Sequence, residues 1–185
     1  MISMVAFKPL IAGILIALIF LSSLYYSITL ADWFDWKRNA LSDLGNSVKS
    51  SVAAQFNFGL LLVGLLMILS ALNYVRRSSK ISWILFAISG FLLQMVATFD
   101  EVYGRLHFLV SVAIFTSMGL TILADSIEFR SKAMLGIFIL YALIWPSYFL
   151  IKTYTGILTK AALAEISSVT LFMAYFILRC IKAPK

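Results

Sequence analysis

Asp43, Asp100, His107 and Glu165 stand out in a chain where charged residues make up only 12% and His107 is the sole histidine. One imidazole among carboxylates has the residue types for proton transfer. His107 would serve as base, Asp100 would orient it, and Asp43 and Glu165 would activate water or bind a metal. A single histidine with carboxylates is a poor zinc donor set, so the metal stays open and no cofactor is expected. No GxSxG, HExxH, CxxC, P-loop or dinucleotide fingerprint occurs, which sets aside the commonest soluble chemistries.

The elements that must position these four residues are set by the solvent. Hydrophobic residues form 62% of the 185-residue chain, and mean hydropathy is +1.00, the composition of an integral membrane protein. Uncharged stretches run over about 9–30, 52–75, 81–99, 106–124, 133–151 and 161–178. Each is long enough to cross about 30 Å of hydrocarbon as a helix. The reading is an all-α polytopic protein, a bundle of six transmembrane helices in one membrane domain over 1–185. The first run is too long for the apolar core of a secretory signal and stays as the first span. Cys180 is the only cysteine, so no internal disulfide forms.

The net charge of +7 is spread singly or in pairs between apolar runs, which argues against nucleic acid and for membrane orientation. With six spans, Lys8, Arg76, Arg77, Lys80, Arg130, Lys132, Arg179, Lys182 and Lys185 share one side, against Lys37, Arg38, Lys49, Arg105, Lys152 and Lys160 on the other. The positive-inside rule then puts both termini in the cytoplasm of a multi-pass cell-membrane protein. Asp125 and Glu128 fall inside, whereas Asp32, Asp35, Asp43, Asp100, Glu101 and Glu165 gather at the outer end.

The loop over 32–51 is long enough to fold over that end as a lid. Trp33, Phe34 and Trp36 suit the membrane interface, and Lys37 and Arg38 can reach phosphates. In "NALSDLGNS", Ser42 or Asp43 is placed to cap a short helix and Gly45–Asn46 to turn it. Gly90, Gln94, Thr98 and Glu101 recur at helical spacing on a face directed at this loop, and His107 and Ser111 lie one turn apart. Glu101 can pair with Arg105 at i,i+4 if the helix continues. Pro146 implies a kink in the fifth span, with Ser147 or Tyr148 beside it. Glu165 either snorkels to the surface or belongs to a site, as an ionisable group near hydrocarbon suggests.

Three stretches carry a family resemblance: "NALSDLG" at 39–45, the acid and histidine of "FDEVYGRLH", and "LAEISSVTLF" opening the last span. They resemble the widespread six-span prokaryotic membrane proteins filed as domain of unknown function 998, over nearly the whole chain. The resemblance implies a six-helix bundle with a polar outer site built from Asn39, Ser42, Asp43, Gly45, Asp100, His107 and Glu165. Two departures occur: "FDEVYG" replaces a more proline- and glycine-rich hairpin, and Ile166 stands where a basic residue often follows the last acid.

Three functions fit these residues. The first is binding of a lipid or small amphipathic ligand in an outer-facing pocket, with Asn39, Ser42, Asp43, Asp100, His107 and Glu165 as ligand-binding residues. The second is an intramembrane hydrolase acting on a lipid or lipid-linked substrate, and the third a structural subunit with a membrane-complex partner. On the site reading, His107→Ala and Asp43→Asn each abolish function and leave stability nearly unchanged.

Overall fold

An uncharged backbone in hydrocarbon must satisfy its hydrogen bonds within itself, and a helix does so along its whole length. The computed structural model describes residues 9–75 and 80–181. Among the described residues lie six helices: α1 Pro9–Leu30, α2 Ala53–Val75, α3 Ile81–Thr98, α4 Arg105–Glu128, α5 Lys132–Thr155 and α6 Ala162–Ile181. All six are long and apolar enough to cross a membrane. The chain is a multi-pass, all-α membrane protein, and no strand occurs among the described residues.

Consecutive helices are neighbours, and α6 closes the ring by packing on α1 as well as on α4 and α5. The core lies inside this ring, where Phe86 of α3 stacks on Phe176 of α6 with centroids 4.2 Å apart. With lipid tails as apolar as leucine, close backbone approach and interhelical hydrogen bonds do much of the joining. On α2 and α3, Gly64 and Gly90 face each other so tightly that a Cβ on Gly64 would sit 2.5 Å from the Gly90 carbonyl oxygen. Between α3 and α4, the Ser89 and Ser117 hydroxyls are 2.8 Å apart.

The face carrying Gly90 and Gln94 therefore serves helix packing, which corrects its assignment to the loop site. Gln94 donates to the Leu61 carbonyl of α2, and Thr98 turns back to the Gln94 carbonyl. Of the four residues at that spacing, Glu101, beyond the end of α3, is the one that bonds the long loop.

Helices α4 and α5 each run four residues beyond the expected 124 and 151, to Glu128 and Thr155. An uncharged-run criterion stops at Asp125 and Lys152, but both side chains have partners that let the helix continue. Asp125 accepts from Arg179 Nε of α6 at 2.8 Å, both groups buried. The Arg179 guanidinium also lies 3.8 Å from the centroid of the Phe129 ring. Glu128 accepts from the Ser82 hydroxyl at 2.6 Å and from the Ile81 amide at the start of α3. These two acids tie α3, α4 and α6 together at the end opposite the long loop, beyond the topological role read from sequence. Pro146 lies within α5, which continues through it.

Candidate functional site

The segment between α1 and α2 folds back over the bundle end because its own polar groups bind one another and the helix ends beneath. Residues Leu41–Gly45 form a 3-10 turn in which Leu41, Asp43, Leu44 and Gly45 are buried, Leu44 completely. Neither Ser42 nor Asp43 takes the cap position expected from the sequence: Ala40 holds it, and Asp43, third in the turn, reaches back to the Ala40 amide at 2.9 Å. Its carboxylate also accepts from Asn39 Nδ2 at 2.9 Å and Lys160 Nζ at 2.5 Å. The Gly45 carbonyl accepts from Asn57 Nδ2 on α2. On the other flank, the Thr159 and Ala162 amides donate to the Lys37 and Asn39 carbonyls.

Glu165 accepts from the Leu41 amide at 2.5 Å. It is partly buried at the head of α6, so the snorkelling alternative gives way to a contact that holds the loop. Glu101, in the turn Glu101–Tyr103 between α3 and α4, accepts from Ser42 Oγ at 3.2 Å and lies 3.7 Å from Lys160 Nζ. The expected Glu101–Arg105 pair does not form, because Gly104 with φ of +53° breaks the helix between them. Asn39, Ser42, Asp43, Glu101, Lys160 and Glu165 thus converge in one network.

The electrostatics follow from this geometry. Burial pushes the Asp43 carboxyl up, but hydrogen bonds from Glu101, Lys160, Asn39 and the Ala40 amide outweigh it and bring it down to about 2. Glu101 moves the other way: burial raises it, and so does the neighbouring Asp43 carboxylate, against the pull of Lys160. The Lys160 ammonium is raised, since its bonds to Asp43 and the fields of both acids exceed the cost of burial.

Asp100 and His107 have different roles from those expected. Asp100 is buried, and its two oxygens accept from the Ser47 and Val102 amides, both at 2.9 Å. Burial raises its carboxyl, yet the bonds from Ser47 and Val102 and the field of His107 leave it below its ordinary value. Asp100 clamps two loops and does not orient the imidazole. His107 Nδ1 instead bonds the Phe99 carbonyl at 2.7 Å, and its Nε2 lies 3.3 Å from Ser111 Oγ. Among the described residues, no three His, Cys, Asp or Glu side chains are grouped to hold a metal ion.

Below this network a cavity of about 820 Å³ opens between α4 and α5. Ser42, Glu101, His107, Lys152 and Glu165 line its loop end, and Phe115, Phe138, Tyr141, Trp145 and Tyr148 line the rest. Asp43 and Asp100 stand behind that lining. Phe108, Val112, Leu120 and Phe149 border the cavity and are exposed, so it opens sideways on the helix surface. The α5 wall was legible as Tyr141, Trp145, Tyr148 and Lys152 at intervals of four, three and four, a single helical face. In the sequence alone that stretch reads as a proline kink, and Lys152 and Lys160 read as orientation charges.

The family model described as "Protein of unknown function (DUF998)" matches residues 14–182 of the chain. No curated protein and no solved structure matches the chain.

Proposed function

The chain belongs to that family, whose description names no activity, and we propose that it binds a lipid or small amphipathic molecule in the cavity between α4 and α5. The observation that carries this reading is the division of the cavity into a polar loop end and a long aromatic remainder. Its lining on α4 runs from His107 to Leu120, about 20 Å at 1.5 Å per residue. One leaflet of hydrocarbon is about 15 Å deep, so a chain and its polar head both fit. The volume lies within the range of about 300–1,000 Å³ usual for small-molecule sites. Glu101, Glu165, Ser42 and Lys152 supply the few convergent polar groups, and the side opening gives entry from the membrane.

In the same reading the loop end faces outward, as the basic residues on the opposite side favour. Ser42, His107 and Glu165 meet the ligand, whereas Asn39, Asp43 and Asp100 hold the lid that shapes its head site. Native mass spectrometry of the purified chain tests the binding. We expect a retained lipid-mass adduct that Ala142→Trp, at the cavity wall, removes without loss of the folded protein. An adduct pattern unchanged in Ala142→Trp overturns the assignment to this cavity.

A further inference from the structure

Two distances in the cavity wall describe more than a binding surface. His107 Nδ1 lies 2.7 Å from the Phe99 carbonyl oxygen, which only accepts hydrogen bonds, so the neutral ring carries its proton on Nδ1. The Phe99 carbonyl is available because α3 ends at Thr98 and the last carbonyls of a helix have no partner within it. Nε2 is then left with its lone pair toward Ser111 Oγ, 3.3 Å away. A helical serine usually turns its hydroxyl to the carbonyl at i−4, as Ser89 and Ser167 do here. Ser111 instead donates to the ring of the residue at i−4.

A hydroxyl, a base within reach and a third group fixing the base's tautomer are the parts of nucleophilic acyl transfer. Both Ser111 and His107 line the cavity. At 1.5 Å per residue, Ser111 sits about 9 Å below Arg105, where α4 begins, and the polar layer flanking the hydrocarbon is about 5–8 Å thick on each side. The hydroxyl therefore lies where an acyl ester joins headgroup to chain.

We propose that Ser111 and His107 form a nucleophile–base dyad that hydrolyses a long-chain carboxylic ester, an inference resting on the reading that an amphiphile occupies this cavity. Ser111 Oγ attacks the ester carbonyl carbon as His107 Nε2 takes the hydroxyl proton. The tetrahedral intermediate collapses, the C–O bond to the alcohol breaks, and Nε2 returns the proton to the departing oxygen. Water entering at the polar end then attacks the acyl carbon and gives a proton to Nε2. The Ser111 oxygen leaves, recovers that proton, and a carboxylic acid is released, so one ester and one water become one acid and one alcohol.

A long-chain fluorophosphonate tests the dyad on the full chain in nanodiscs, with the adduct located by tandem mass spectrometry. We expect one adduct, on Ser111, absent in Ser111→Ala and slowed by at least about 100-fold in His107→Gln, the scale of general-base assistance. Hydrolysis of a long-chain nitrophenyl ester falls in parallel. An unlabelled wild-type protein, or equal labelling of Ser111→Ala, overturns the dyad. Native mass spectrometry of the same samples separates the two claims. Lipid retained by Ser111→Ala without labelling is the expected pattern, whereas a wild type that retains lipid but takes no label refutes the dyad alone.

Discussion

Replacing Asp43 by asparagine gives a quantitative test of how the loop is held. Its carboxyl is brought from the ordinary 3.8 to about 2. At about 1.36 kcal/mol per tenfold, this is on the order of 2 kcal/mol favouring the folded loop at neutral pH, shared with the neighbouring Glu101. A second route agrees in size: the bonds from the Ala40 amide and Asn39 go to a charged acceptor, each worth about 1.5–3 kcal/mol, and losing the charge weakens both. The half-exposed Lys160 adds less, since solvent screens it. The expected result is amide exchange over residues 39–46 faster by on the order of tenfold or more in Asp43→Asn, read by hydrogen–deuterium exchange in micelles. The sign fixes the pH window. A depressed folded value gives stability that is complete above the unfolded 3.8 and is lost as pH falls through about 2, so wild-type protection fades only in strong acid. Exchange changed by less than about threefold, or accelerated equally in all helices, refutes the reasoning. The bonds that Asp43 accepts thus predict a loss of loop stability in Asp43→Asn, where its sequence position alone implies that stability is nearly unchanged.

Glu101→Gln removes a carboxyl whose folded value is raised by burial and Asp43. Its contribution is present in acid and lost as pH rises through the folded value. The variant is expected to be at least as stable as wild type at neutral pH, with a flatter acid-side profile in thermal scans; a clear loss at neutral pH contradicts this. Arg179→Ala leaves Asp125 buried and unpaired, a loss of about 3–5 kcal/mol and a midpoint lower by on the order of 10 °C. Asp125→Asn with Arg179→Met should recover part of it, and a single variant that melts like wild type rules out the pair's importance. Gly64→Ala drives a Cβ into the Gly90 carbonyl and should cost about 1–3 kcal/mol. Gly136→Ala, with nothing within 4 Å, should not, and equal effects of the two in thermal scans negate the close-contact account. With buried Cys180 replaced by serine, exposed Val48→Cys should react with an impermeant maleimide on intact cells; reaction only after permeabilisation reverses the proposed orientation.

The six helices were legible because hydrocarbon length and absence of charge are written directly in the chain. Boundaries were less so: Asp125, Lys152 and Arg179 looked like ends of spans until partners distant in sequence, or one turn away, accounted for them. Much the same holds at the site. Asp43 and Glu165 were visible as costly charges, but a sequence gives no depth, so a carboxylate that caps a loop looks like one that faces a ligand. Asp100 is the clearest case: beside His107 in the chain, it spends both oxygens on amides, one of them 53 residues away. Lys160 binds Asp43 across 117 residues, a contact no local spacing announces. The His107–Ser111 contact, by contrast, lies within one helical turn and was available from spacing alone.

Photoaffinity labelling tests the central claim of amphiphile binding most directly. A long-chain phospholipid bearing a diazirine in its acyl chain is incorporated with the full chain in nanodiscs, irradiated, and the modified residues are mapped. Adducts concentrated on the cavity lining between 107–120 of α4 and 138–152 of α5, and suppressed by Ala142→Trp, are the predicted result. Adducts spread evenly over the exposed faces of all six helices, unaffected by that substitution, would contradict it.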